Sequence, residues 1–212
     1  MIDFVTIDYD ARQREFLSRI EDALSKQLMR KPRRLSHSFS VARTAEALAV
    51  AYGVDPYKAR VAGTLHDWSK SMSRDALLAR SRELGIDLGV DLELVAPLLH
   101  GIVAAEELPS VFPGLDDDVL RAIRVHTLGS ATPTPLDQVV FVADGIEPER
   151  PGSAGIERCR SMAGTASLDD LYWESFRGGV AYVIETERYL YPGTIDIYNS
   201  LALERANKKE SQ

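Results

Sequence analysis

Apolar residues recur at the 3.6-residue helical period along almost the whole chain, and this pattern most constrains the fold. Between residues 11 and 30, Leu17, Ile20 and Leu24 share one face, as expected of a helix that buries one side. The segment VVFVA at 139–143 could form a strand, but its helical flanks favour a buried helix. We therefore predict an all-α fold without strands.

Cap and breaker residues divide this pattern into separate helices. Pro32 is expected to close the first helix, and Asp55-Pro56 to open the third, because aspartate caps and first-turn prolines favour helix starts. The Pro- and Gly-containing stretches 109–114 and 149–165 are predicted to be loops. The predicted helices cover residues 11–30, 36–52, 55–66, 74–84, 92–107, 116–126, 134–146 and 167–189.

Length and composition indicate one cytoplasmic domain. The 212 residues predict a single helical domain over 1–212, with a core at about 30–200 and a polar, frayed C-terminal tail, RANKKESQ. A net charge of −7 argues against nucleic-acid binding, and no apolar run is long enough for a membrane helix. A single cysteine, Cys159, fits a reducing compartment. The apolar C-terminal helix could pack inside the domain or against a second subunit, so the sequence is compatible with a homodimer.

Four histidines, His37, His66, His100 and His126, are the only ones in the chain. Each lies in or beside a predicted helix with an apolar face. Taken singly, each is more simply explained as a core histidine with a satisfied hydrogen bond. Four imidazoles in one apolar bundle favour convergence on a divalent metal.

Two aspartates extend this set. Asp67 directly follows His66, and Asp144 follows an apolar run, although Asp144 could instead be exposed at a helix end. A buried carboxylate needs a cationic partner. Six ligands exceed what one cation needs, so we predict two metal ions that share a carboxylate and a hydroxide. Nitrogen and oxygen ligands suit iron, manganese, zinc or nickel.

Basic residues lie close to these ligands in sequence. Arg34 precedes His37, Lys70 follows Asp67, and Arg150 follows Asp144. Each alone is most simply a solvated surface charge. Their grouping around a metal site in an acidic protein predicts a phosphorylated substrate, since arginine forms paired hydrogen bonds to phosphate.

These residues occur in five ordered blocks that resemble the HD-domain superfamily of metal-dependent phosphohydrolases, and more closely its YqeK-type branch. The resemblance spans about residues 30–200, and the histidine-aspartate doublet alone would be weak evidence. The blocks are RLSH at 34–37, HDWSK at 66–70, LLHG at 98–101, RVHTLG at 124–129 and FVADGIEPER at 141–150.

The resemblance implies an HD-domain helical bundle with two metal ions, iron being favoured, that hydrolyses diadenosine tetraphosphate (Ap4A) symmetrically to two ADP. It implies that His37, His66, Asp67 and Asp144 hold one metal, and that Asp67 bridges to a second metal held by His100 and His126. The residues it implies near the nucleotide are Arg34, Lys70, Asp144, Gly145, Arg150, Tyr191 and Thr194.

The predicted catalytic residues are Asp67, Lys70 and Arg150. Asp67 would join the metals and orient the hydroxide, and Lys70 and Arg150, together with Arg34, would neutralise the polyphosphate and the leaving ADP. One departure lies at Gly145, where the family often has tyrosine. It bears on the nucleotide contact more than on the metal ligands.

Three alternatives remain open from the residues. The chain could be an HD phosphohydrolase for another nucleotide, a di-iron oxygenase of the HD type, or a nucleotide-binding protein without activity. The basic residues argue against the oxygenase, and the complete ligand set argues against the inactive protein.

Overall fold

The computed structural model describes residues 2–4 and 6–210, and all its regular structure in those ranges is helical. The all-α prediction is therefore confirmed for the described residues. The α-helices are α1 (Ala11–Gln27), α2 (Pro32–Tyr52), α3 (Pro56–Leu65), α4 (Arg74–Glu83), α5 (Leu99–Val111), α6 (Asp117–Val125), α7 (Pro135–Ile146), α8 (Ala154–Met162), α9 (Leu168–Glu185) and α10 (Pro192–Glu210). Short 3-10 helices occupy Trp68–Ser71 and Ala96–Leu98.

Side-chain caps explain where several helices begin. The Asp55 carboxylate accepts hydrogen bonds from two first-turn amides of α3, and Thr134 forms a capping box with Asp137 at the start of α7. Such contacts satisfy amides that have no partner within the helix. The predicted starts of α3 and α7 are thereby confirmed.

Helix α2 begins four residues earlier than predicted. Pro32 was expected to close the first helix, but α1 already stops at Gln27, and Pro32 instead occupies the first turn of α2. Proline suits that position because its missing N–H would have no partner there. As a result, Arg34 and His37 lie on one continuous helix.

Three further predictions were wrong. Residues 154–162 form α8 rather than a loop, because Ser153 caps its first turn. Helix α5 continues through Pro109 to Val111, and its regular turns begin at Leu99 rather than at residue 92. The expected frayed tail is helical in α10 up to Glu210, and residues 211–212 lie outside the described part.

The main hydrophobic core surrounds α2. Its buried residues Val41, Ala45 and Leu48 join apolar side chains from α1, α3, α6, α7 and α9. Helices α2 and α3 approach closely at Gly63, where an added Cβ would lie 2.7 Å from the Cα of Ala42. This contact places the C-terminal end of α3 against the middle of the bundle.

A second apolar cluster packs α4 against α5 and includes Leu78, Val95 and Leu99. Tyr191, just before α10, packs on this cluster. Among the described helices, none combines the length and the apolar character needed to traverse a bilayer. The single domain over 1–212 stays a prediction.

Candidate metal centre

Three of the four histidines lie at helix ends, whereas His37 lies inside α2. His66 directly follows α3, His126 directly follows α6, and His100 is the second residue of α5. These three side chains are buried. Helix ends therefore bring most of the imidazoles into the bundle.

The Nδ1 atoms of these three rings are held by backbone carbonyls three residues earlier. His66 Nδ1 lies 2.7 Å from Gly63 O, His100 Nδ1 2.9 Å from Pro97 O, and His126 Nδ1 2.7 Å from Ile123 O. A carbonyl oxygen only accepts, so each Nδ1 donates. In the neutral ring, Nε2 is then left as a lone-pair acceptor.

These Nε2 atoms face one another. His100 Nε2 lies 2.9 Å from His126 Nε2. The ring centroids of His66 and His126 are 4.9 Å apart. The Nε2 atoms of His37 and His66 are buried without a hydrogen-bond partner in the described part of the chain. Converging lone pairs in an apolar interior require a cation or an added proton between them.

Asp67 directs its two carboxylate oxygens to different histidines. Oδ1 lies 3.2 Å from His100 Nε2, whereas Oδ2 lies 3.5 Å from His66 Nε2 and 3.8 Å from His37 Nε2. Arg34 donates to Oδ2 at 2.7 Å. The buried carboxylate thus lies between two sets of imidazoles.

Asp144 approaches the same cluster from α7. Its Oδ1 lies 3.1 Å from His37 Nε2 and 4.0 Å from His66 Nε2. Arg150 donates to Oδ1 at 2.7 Å and to the backbone oxygen of Asp144 at 2.8 Å. Each of the two aspartates is therefore paired with one arginine.

The ligand atoms of these residues form three overlapping groups, within each of which all atoms lie within 4.8 Å of one another. Such spacing and a nitrogen-oxygen donor set fit divalent metal ions. Asp67 belongs to two of the groups. The groups are His37, His66 and Asp67; His66, His126 and Asp144; and Asp67, His100 and His126.

The electrostatics of the cluster favour ligand-competent protonation states for most of its members. Burial lowers the pKa of His126 to about 3 and also lowers the pKa of His100. Burial opposes ionisation of Asp67, yet His66 and His100 hold its pKa well below the usual range. Burial alone would lower the pKa of His66, but the adjacent Asp67 charge raises it.

The other predicted site residues have different surroundings. Lys70 is in the 3-10 helix after Asp67, and burial lowers its pKa. Gly145 faces α9, since an added Cβ would lie 3.2 Å from Ser175 Oγ.

Tyr191 and Thr194 lie in or beside the start of α10. Tyr191 donates to Leu88 O at 3.1 Å, and Thr194 lines a groove between α9 and α10. The structure thus groups Arg34 and Arg150, but not Tyr191 and Thr194, with the aspartates.

A cavity of about 810 Å³ opens beside His37. Its lining is rich in cations and includes the arginines that hold the two aspartates. The charged side chains of the lining are Lys31, Arg33, Arg34, Arg150, Glu147 and Glu149.

Two residues that touch the imidazoles were not predicted from the sequence. Thr127 Oγ1 lies 3.0 Å from His126 Nε2 and 3.2 Å from His100 Nε2. Glu147, which is buried, lies 3.0 Å from His37 Nδ1. Glu147 follows Asp144 by three residues, a spacing that brings side chains to one side of a helix, and this spacing could have revealed it.

Comparison with known proteins matches residues 34–149 to the HD domain family. A relative from Staphylococcus aureus, named symmetrical bis(5'-nucleosyl)-tetraphosphatase, is 36% identical over 79% of this chain and 86% of its own length. A relative of the same name from Halalkalibacterium halodurans is 33% identical over 81% of this chain and 90% of its own length. Each of these two matches covers most of this chain and most of the relative.

A crystal structure from Clostridium acetobutylicum has a similar fold. It is described as a predicted HD superfamily hydrolase involved in NAD metabolism. The TM-score is 0.79 at 32% identity, and the match covers 88% of this chain and 97% of that one.

Proposed function

The chain belongs to the HD domain family, and from that premise we propose that it hydrolyses dinucleoside tetraphosphates symmetrically, converting Ap4A into two ADP. The observation that carries this proposal is the convergence of four imidazoles and two carboxylates beside a cation-rich cavity. Relatives of more than 30% identity that bear the name of this activity support the choice of substrate. The cavity supplies the positive charge that a polyphosphate needs.

In this proposal the six residues hold two metal ions. His37, His66 and Asp144 would hold one, His100 and His126 the other, and Asp67 would bridge them. The opposed directions of the two Asp67 oxygens support this role. Bound metal ions supply charge neutralisation on phosphate oxygens and a lowered pKa for water. Iron is the favoured metal, with manganese, zinc and nickel as alternatives.

Three basic side chains would bind the polyphosphate and its leaving group. The Arg34 and Arg150 side chains are 40% and 37% exposed, so their guanidinium groups reach the cavity while each stays fixed on an aspartate. Fixed donors lose little freedom when a phosphate binds. Lys70, which is mostly buried beside Asp67, would add a positive charge at the reacting phosphates.

The nucleoside ends of the substrate require other contacts. By the resemblance to the family we assign these to Gly145, Tyr191 and Thr194; Gly145 directly follows Asp144, and Thr194 lines the groove between α9 and α10. We also propose a cytosolic location, which the single, buried cysteine of the chain supports. A homodimer remains compatible with it.

Product analysis tests the reaction directly. The apoprotein is reconstituted separately with iron, manganese or zinc, incubated with Ap4A, and its products are separated by ion-exchange chromatography. We expect ADP as the sole nucleotide product, because symmetric cleavage divides four phosphates equally.

Two results would contradict the proposal. Equal amounts of AMP and ATP would show asymmetric cleavage, and absence of hydrolysis with every metal would remove the activity altogether. Oxygen consumption, measured in the same samples, separates hydrolysis from oxygenase chemistry.

A further inference from the structure

The four imidazoles differ in the partner of their outer nitrogen. In His66, His100 and His126 this partner is a neutral backbone carbonyl. In His37 it is a carboxylate, because Glu147 Oε1 lies 3.0 Å from Nδ1. A carboxylate orients an imidazole more strongly than a carbonyl and makes its free nitrogen a better electron-pair donor.

Glu147 is placed for this contact by the end of α7. It is the residue at which the helix stops, and only 2% of its surface is exposed. Its second oxygen, Oε2, accepts the backbone N–H of Glu149 at 2.7 Å. Both oxygens are therefore occupied, and the carboxylate has one orientation in which both contacts are made.

The backbone that carries Glu147 is held from α8. Arg160 donates to the backbone oxygens of Ile146, Glu147 and Arg150 at 3.0, 2.7 and 2.9 Å. Three contacts from one planar guanidinium restrain this turn. Glu147 thus approaches His37 from a rigid support, which a purely solvated surface glutamate would lack.

We propose that Glu147 is a positioning residue that holds His37 in the Nδ1–H tautomer and directs its Nε2 lone pair to the metal centre. His37 Nε2 lies 3.1 Å from Asp144 Oδ1 and is buried without a hydrogen-bond partner among the described residues. The inference rests on the metal centre of the proposed function. It adds a residue that acts on the metal through His37 rather than by touching it.

The substitutions Glu147→Gln and Glu147→Ala test this role. Glutamine has nearly the same volume, but its amide cannot accept from both His37 Nδ1 and the Glu149 amide, since one end is a donor. Affinity for Zn²⁺ is measured by competition with a chromophoric chelator, without any assay of activity. We expect both variants to bind Zn²⁺ about ten- to a hundredfold more weakly than the unaltered protein.

A second measurement reports the tautomer itself. Nitrogen-15 NMR of the metal-free protein at mildly alkaline pH distinguishes Nδ1–H from Nε2–H rings, and the chain has only four histidines to assign. We expect His37 to change from the Nδ1–H form towards the Nε2–H form in Glu147→Gln. A role in stability alone would leave this tautomer unchanged.

Glu46→Gln is the matched control. Glu46 is also a buried carboxylate and accepts hydrogen bonds from Tyr9 and Arg60. The Glu46→Gln substitution should lower the melting temperature without changing the affinity for Zn²⁺. The inference is overturned if the Glu147 variants keep the affinity of the unaltered protein, or if Glu46→Gln weakens binding equally. Failure of the unaltered protein to bind metal would instead overturn the proposed function.

Discussion

Gly101 shows how closely the metal centre depends on one missing side chain. An added Cβ would lie 2.7 Å from the Ile123 backbone oxygen and 2.8 Å from the imidazole of His126. The same Ile123 oxygen holds His126 Nδ1. Glycine is therefore required both for the approach of α5 to α6 and for the orientation of one imidazole.

Gly101→Ala is expected to destabilise the fold by about 1–3 kcal/mol, because the contact is to backbone and cannot be relieved by a side-chain rotation. It should also reduce the metal content, since His126 must move. Urea denaturation and metal analysis measure the two effects.

Gly178→Ala provides the comparison. Gly178 lies inside α9, and nothing lies within 4 Å of its added Cβ. Here alanine should stabilise the protein by roughly 0.5–1 kcal/mol, because it removes the conformational freedom of glycine in a helix. Equal effects at both positions would refute the steric explanation.

At the scale of elements, α8 joins the bundle to the turn that follows α7. Its Arg160 binds three backbone oxygens of residues 146–150, and its Cys159 is buried against the core. The loop predicted for 149–165 was wrong over residues 154–162, because the prediction rested on the Gly, Pro and Arg residues of this stretch. The single capping serine, Ser153, was a weaker indication of α8.

Arg160→Lys is expected to lower the free energy of unfolding by about 1.5–3 kcal/mol, since an ammonium group cannot reach all three oxygens. Loosening this turn should also reduce the rate of hydrolysis, because the turn carries Glu147 and Arg150. Urea denaturation and the ADP-release assay measure these changes.

The neighbouring substitution Arg158→Lys separates this effect from a general loss of arginine. The Arg158 side chain is 62% exposed, and among the described residues its one ion pair is that with Glu174, at 3.6 Å. Its replacement should change stability by less than about 0.5 kcal/mol. A loss as large as that of Arg160→Lys would contradict the role of the backbone contacts.

At the scale of the whole molecule, the candidate metal centre joins helices that are distant in sequence. Its candidate ligands come from α2, the ends of α3 and α6, the start of α5, and α7. Two metal ions that share Asp67 would together cross-link these five helices. Binding to the folded state alone raises its stability by mass action.

Removal of metal with a chelator should therefore abolish hydrolysis and lower the melting temperature. Re-addition of Mn²⁺ at about a hundred times its dissociation constant should restore about 2.7 kcal/mol of stability, or roughly 5–10 °C, for each ion bound. Differential scanning calorimetry with and without Mn²⁺ measures the shift.

Asp67→Asn is the control for this experiment. It keeps the volume of the side chain but removes the charge placed between the two sets of imidazoles. Its melting temperature should not respond to Mn²⁺, and its turnover should fall at least about a hundredfold. A normal metal response in Asp67→Asn would show that Asp67 does not hold the metals.

The sequence by itself determined the helical class, most helix starts, and the set of histidines and aspartates that gather in the bundle. These follow from local properties, because periodicity and caps act within a few residues, and a buried imidazole or carboxylate needs a partner. The roles assigned to the six residues as metal ligands remain proposals.

Only the tertiary structure decided which nitrogen of each imidazole points inward and what holds the other. Glu147 and His37 are 110 positions apart, and Thr127 touches His100 across two helices. The requirement for glycine at position 101 likewise arises only from its close contact with the end of α6. Hydrogen-bond direction and close packing depend on distances between distant segments, which no local pattern in the chain encodes.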